Sequence, residues 1–289
     1  MVKELGEIFK TIREEKNFSI RKAVGNVLSK SQLSRFERGE NDISAKKLFA
    51  LLENINVPIE DFAERFHEFN IDPSKKLFNT IGYLEQTGDF TELKKLGEKQ
   101  LNLFYDDFKL INRLNYLAIK GILATHELGK KLTYEEKRII IDYLYNILEW
   151  QQYELHLFNA TISQMDYPNV RFLGKEIFHR EYFFKDIPEN RDLILRGVRN
   201  FAIISIRNND FETTYAILNW LDENRKDESE FKVRVIQKLI LIELYEHTGK
   251  IQAAIKELSD IVLIYEKFGN THSYEQYKKE LEELRKQVQ

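Results

Sequence analysis

The sequence predicts an all-α protein: a five-helix head followed by an α-solenoid of about five helix pairs. Three observations predict it. Helix breakers are scarce, with 12 Gly and 4 Pro in 289 residues, too few for the frequent turns of an all-β chain. The apolar residues recur at helical spacing. The few breakers sit at Gly88, Gly129, Pro168, Asn208 and Gly249, about 40 residues apart, as in a chain of stacked helix pairs.

The composition bounds the remainder. Hydrophobic residues make up 43% and charged residues 31%, enough for a core and a hydrated surface, so a disordered chain is excluded. There is no Cys, hence no disulfide framework, thiol nucleophile or thiolate metal site. The start, Met1-Val2-Lys3-Glu4-Leu5-Gly6-Glu7, lacks the apolar run of a signal peptide. No window approaches the roughly 18 apolar residues of a membrane span. The expected compartment is the cytoplasm, with no membrane partner.

The head spans 1–66. Leu5, Ile8, Phe9 and Ile12 fall on one face of a first helix. Ser19 caps a short second helix through Ala23. Ser29 and Gln32 form a capping box that opens a third helix, which turns Leu33 and Phe36 inward and stops at Gly39. Ser44 begins a fourth helix with Leu48, Leu51 and Leu52. Pro58 sits in the first turn of a fifth. Residues 1–47 hold 11 Lys/Arg and 7 Asp/Glu, a net of +4, so the rest of the chain carries −7. That sign favours a nucleic-acid-facing head.

The stretch from Ser19 to Gly39 matches a helix-turn-helix, with small Ala23 at the helix crossing and Leu28, Leu33 and Phe36 closing the corner. Such a motif presents the N-terminal part of its second helix to base edges in the major groove of double-stranded DNA. The expected DNA-binding residues are Ser29, Lys30, Ser31, Gln32, Arg35 and Arg38, with Arg13 and Lys16 at the end of the first helix near phosphate. Arg pairs with guanine and Gln with adenine; Lys30 suits phosphate or guanine. Competing roles stay open. Ser29 and Gln32 serve the capping box, and Arg13 can instead bridge to Glu37.

Residues 67–289 read as helix after helix. The unit of about 40 residues exceeds the 34 of a tetratricopeptide repeat (TPR), so the solenoid is TPR-like. Enzyme chemistry has little support. His126-Glu127-Leu128-Gly129-Lys130 begins like a zinc motif, but Lys130 replaces the second His. No Gly-rich phosphate loop occurs. No metal or cofactor is expected.

The phrase Ser34-Arg35-Phe36-Glu37-Arg38-Gly39-Glu40 resembles the end of the helix-turn-helix in the phage-repressor-like (XRE) family. One departure is Val27, where that family usually has Gly in the turn; Gly25 or Asn26 can supply the positive φ instead. The longer run Leu28 to Glu40 with Ile43-Ser44, and the run Trp150 to Asn159, resemble the Rgg/MutR family of regulators, grouped with PlcR and PrgX. The resemblance covers essentially the whole chain. It implies a five-helix XRE-type helix-turn-helix domain joined to a TPR-like repeat domain, in a homodimeric cytoplasmic transcription regulator of low-GC Gram-positive bacteria. It also implies a short signalling peptide bound in the concave face of the repeats. Some members carry a Cys after that Ile-Ser that links two heads; this chain has Ala45, so a noncovalent dimer is expected.

An extended peptide calls for Asn or Gln along its backbone and Arg or Lys at its carboxylate. Helical periodicity nominates Tyr153 and Asn159 near 149–164, Arg199 and Asn200 near 191–207, and Arg234 and Gln237 near 229–248, with Lys238 beside them. The second hypothesis is a TPR-like interaction scaffold whose head is not peptide-regulated.

Overall fold

The computed structural model describes residues 4–69, 73–179, 188–224, 231–269 and 271–288. Every regular element among them is helical. The chain divides into two compact units, Met1–Tyr83 and Leu84–Gln289. The boundary falls inside a helix rather than at 66/67.

The head contains α1 (Leu5–Glu15), α2 (Ile20–Val24), α3 (Lys30–Glu37), α4 (Ala45–Asn54) and α5 (Ile59–Phe69). Its core gathers Ile8, Phe9 and Ile12 of α1, Ala23 and Val24 of α2, Leu33 and Phe36 of α3, and Leu48, Leu51 and Leu52 of α4. Leu5 is exposed, although it shares the helical period of Ile8 and Ile12. The neighbouring Gly6 takes the buried place instead. A Cβ on Gly6 would lie 1.8 Å from the Phe36 carbonyl oxygen, so the α1–α3 approach requires a residue without a side chain.

Caps set the helix ends. Ser19 Oγ accepts from the Lys22 amide of α2, and Ser44 Oγ from the Lys47 amide of α4. In α3, Ser29 Oγ accepts from the Gln32 amide at 3.2 Å, while the Ser29 amide donates to Gln32 Oε1 at 3.0 Å. This is the reciprocal capping box. Gly39, at φ +70°, closes α3, with its amide on the Phe36 carbonyl and the Glu40 amide on the Arg35 carbonyl. That pair of bonds is a Schellman motif. The turn between α2 and α3 takes its positive φ at Gly25, +48°. A Cβ there would meet Asn54 Nδ2 at 2.8 Å, and that amide donates to the Ala23 carbonyl. Val27 can therefore replace the usual Gly, because the bend occurs two residues earlier.

The boundary helix is α6 (Pro73–Thr87). The second unit continues with α7 (Phe90–Asp107), α8 (Leu110–Thr125), α9 (Tyr134–Asn146), α10 (Gln152–Thr161), a 3-10 turn Ile162–Gln164, α11 (Tyr167–His179), α12 (Pro188–Arg207), α13 (Phe211–Glu223), α14 (Phe231–His247), α15 (Ile251–Lys267) and α16 (Thr271–Lys286). Residues 229–230, read as the start of α14, lie outside the described residues. Helices α8, α10, α12 and α14 pack in succession, with α7, α11, α13 and α15 each beside one of them. This is the solenoid order.

The breakers act mostly as read. Gly88 and Gly249 hold left-handed φ, and so does Asn209, one residue past the expected Asn208. Asp89 and Asp210 then cap α7 and α13. Pro168 occupies the first turn of α11, where it needs no amide partner. Gly129 is a correction: the left-handed residue after α8 is Glu127, φ +58°, and a Cβ on Gly129 would lie a tight 3.1 Å from Leu123 Cβ.

A repeat register is visible in side-chain hydrogen bonds. Tyr153–Asn115, Ser163–Thr125, Asn190–Gln152, Ser205–Tyr167 and His247–Asn209 are each 38 residues apart. Phe90 packs on His126, and Phe211 likewise on His247. His126, the start of the incomplete zinc motif, pairs with Glu85 Oε1 at 3.0 Å. No group of His, Asp and Glu suited to a metal occurs among the described residues. No helix there is long and apolar enough to cross a membrane.

Candidate nucleic-acid interface and peptide face

The outer face of α3 carries Lys30, Ser31, Gln32, Arg35 and Arg38, all exposed. Leu33 and Phe36, on the opposite face, are fully buried and anchor the helix. Ser29 Oγ lies 3.1 Å from Ser31 Oγ. Gln32 Oε1 is engaged by the cap, so its side chain reaches outward only as an N–H donor. In that arrangement the bidentate adenine contact, which needs both the oxygen and the N–H group, is not open to Gln32.

Arg35 donates through Nη2 to Asn41 Oδ1 at 3.1 Å, and its Nε lies 3.5 Å from Glu40 Oε2. Arg38 binds both oxygens of Glu40, at 2.6 and 3.1 Å, and donates to Ser34 Oγ at 2.5 Å. Sequence reading did not single out Ser34, Glu40 or Asn41 as site residues. The available signal was the Gly39 C′ position, because a Schellman turn brings the next residues back over the helix end.

Arg13 is a correction. It is 6% exposed and Glu37 is 4% exposed. Arg13 Nε donates to Glu37 Oε1 at 2.6 Å and Nη2 to Oε2 at 2.9 Å, while Nη1 donates to the Phe18 carbonyl at 2.8 Å. The Glu37 hydrogen bond raises the Arg13 pKa above its usual value, against the effect of burial. The guanidinium therefore ties α1 to α3 inside the head and is not available to phosphate. Lys16 remains at the surface, but its Nζ donates to the Asn56 carbonyl at 2.5 Å, beyond the end of α4.

The nominated peptide residues divide by environment. Tyr153 OH donates to Asn115 Oδ1 at 3.1 Å, and its ring meets Tyr143 edge-on at 6.1 Å. Burial raises its pKa, so the phenol stays protonated and serves as a donor between repeats. Asn159 Nδ2 donates to the Leu193 carbonyl at 3.0 Å and its Oδ1 is enclosed without a partner. The amide thus joins α10 to α12. Arg199 has its Nε enclosed without a partner; its charge opposes the rise in pKa that burial imposes on Tyr265, Tyr277 and Glu280. Asn200 and Gln237 are half-buried, and Arg234 is exposed. Lys238 is held on α15 by Glu257 and Asp260. The structure thus brings Arg199 toward the α15–α16 end of the unit, while Tyr153, Asn159 and Lys238 each bond to a neighbouring helix.

Periodicity gave no reason to single out His156. Burial lowers its pKa to about 4, with the Arg196 charge adding to the effect. Glu246 moves the other way, up to about 6, by burial and by the neighbouring Glu280 and Glu243.

Known proteins share this architecture. Residues 9–62 match the helix-turn-helix family, and residues 77–279 match the family described as "HTH-type transcriptional regulator Rgg, C-terminal domain". Among solved structures, the chain is similar to the SHP pheromone receptor Rgg2 of Streptococcus dysgalactiae, at 23% identity and TM-score 0.77 over 96% of this chain and 99% of that one. A Listeria monocytogenes EGD-e protein gives TM-score 0.78 at 18% identity, covering 100% and 99%. PrgX in its iCF10 complex gives 0.68 at 17% identity, covering 97% and 95%. The structural likenesses establish the fold, and the family match spans most of the sequence. The chain belongs to the Rgg family of helix-turn-helix transcriptional regulators.

Proposed function

We propose that this protein is a cytoplasmic, sequence-specific DNA-binding regulator that acts as a homodimer under the control of a short signalling peptide. The single observation that carries the DNA part is α3. Its inner face is fixed by Leu33, Phe36 and the Arg13–Glu37 pair, while its outer face holds Lys30, Ser31, Gln32, Arg35 and Arg38 in solvent. A rigid helix with an exposed cationic face suits the major groove. Arg35 is the base reader, Lys30 and Arg38 hold phosphate, and the capped N-terminus of α3 adds its dipole.

The peptide part is supported by the Rgg repeat unit and by its likeness to a pheromone receptor and to PrgX with a bound ligand. The concave face of the repeats would hold the peptide, with Arg199, Asn200, Arg234 and Gln237 as its polar contacts. Peptide shifts the equilibrium only through unequal affinity for two arrangements of the dimer. The spacing of the two heads must then match two half-sites on the duplex.

Polarisation binding to the DNA upstream of its own gene tests the reading. Arg35→Ala is expected to lower discrimination by about 1–3 kcal/mol with helicity unchanged. Operator binding that survives Arg35→Ala at full specificity removes Arg35 from the interface.

A further inference from the structure

We infer that Glu40 is a positioning residue that restrains sequence-independent attraction to DNA by holding Arg35 and Arg38 against itself in the DNA-free head. The inference rests on the DNA-binding reading and adds to it a residue that sets selectivity.

Five exposed cations lie on α2 and α3 or directly after them: Arg21, Lys22, Lys30, Arg35 and Arg38. Among the described residues, Arg21, Lys22 and Lys30 form no ion pair, whereas Arg35 and Arg38 both meet one carboxylate, that of Glu40. The backbone sets this geometry. Gly39 in the left-handed region reverses the chain, and the Glu40 amide bonds the Arg35 carbonyl. The Glu40 side chain is thereby placed beside the last turn of α3. Its pKa is lowered, chiefly by the Arg38 hydrogen bond, so the carboxylate is charged at neutral pH.

Any phosphate approaching Arg38 must displace Glu40 or tolerate its charge. Either route weakens the phosphate contribution, which is the same for every sequence. A correct base gives Arg35 a directed, bidentate partner, and only the cognate site supplies it. The carboxylate therefore suppresses random binding more than specific binding. The net charge of the head would serve equally well if charge alone mattered, but a carboxylate shared between two arginines acts only where those arginines must be released.

The test uses the full-length protein and a random-sequence duplex of about 30 base pairs, followed by fluorescence polarisation from about 50 to about 200 mM salt. Glu40→Gln is expected to bind roughly threefold to tenfold more tightly at the low end and to steepen the slope of log K against log salt by about one. Glu40→Asp keeps the charge and should restore most of the original slope. Glu60→Gln removes one exposed charge from α5 and should change little. Equal affinity and slope for Glu40→Gln, or weaker binding, overturns the inference, as does an equal shift in Glu60→Gln. If neither the native protein nor Glu40→Gln binds any duplex, the DNA reading fails and the inference fails with it. If the native protein binds and Glu40→Gln matches it, only the inference fails.

Discussion

The head and the repeat unit solve the same packing problem differently. In the head, five helices converge on one core, and among the described residues a single buried ion pair, Arg13–Glu37, locks α1 to α3. In the repeat unit, no single contact holds the whole. Neighbouring helices share side-chain hydrogen bonds 38 residues apart, and a separate core of Val235, Ile242, Ala254, Leu258, Ile261, Leu281 and Leu284 closes the C-terminal helices. A convergent core concentrates risk in a few residues. A stacked unit distributes it, because each helix touches only near neighbours.

The sharpest test of that contrast is Arg13→Ala. It leaves Glu37 charged and buried, which costs about 3–5 kcal/mol and should unfold the head as a whole. Denaturant melts followed by circular dichroism check it. A loss under about 1 kcal/mol would mean that the pair is peripheral to the head. The paired replacement Arg13→Met with Glu37→Leu should recover most of the loss.

Leu258→Ala probes the other unit. It opens a cavity in the C-terminal core and should cost about 2–5 kcal/mol. Hydrogen exchange should rise across α14, α15 and α16 while α1–α4 keep their protection. Uniform loss of protection along the chain would contradict the distributed picture.

Ser29→Ala removes the α3 cap, for about 1 kcal/mol. Fraying at that end also loosens the proposed phosphate-facing amides, so DNA affinity should fall beyond the stability change. An unchanged affinity would place the phosphate elsewhere.

The smallest effect is one of pH in the repeat unit. Glu246 titrates at about 6 when folded, above its ordinary 4.5, so its contribution falls as pH rises from about 4.5 to about 6. His156 titrates at about 4 when folded, below its ordinary 6.5, so its contribution rises as pH climbs through that window. Relative to the native chain, Glu246→Gln should make stability rise more steeply with pH from about 4.5 to about 6, and His156→Gln should make it fall. Melting temperatures across that window settle it; parallel profiles for all three proteins would refute both assignments.

Much of the head was legible in the sequence because its signals are local. A Ser three residues before a Gln makes a capping box wherever both precede an apolar run, and Gly39 ends a helix because only Gly takes that φ without strain. The repeat spacing was legible for the same reason: left-handed positions such as Gly88, Asn209 and Gly249 are intrinsic to residue type. The side-chain roles were not. Arg13 and Arg35 look alike in a one-dimensional pattern, and Asn159 looks like Asn200.

The sequence by itself determined an all-α chain, the capped helix-turn-helix, the cationic bias of the head and the period of the repeats. All follow from propensities and charges that each residue carries with it. Only the tertiary structure decided that Arg13 turns inward to Glu37, that Asn159 joins α10 to α12, that Glu127 rather than Gly129 makes the left-handed turn, and that Arg35 and Arg38 share Glu40. The physical reason is that burial and pairing depend on which surfaces meet, and those surfaces are brought together by packing between helices far apart in the chain.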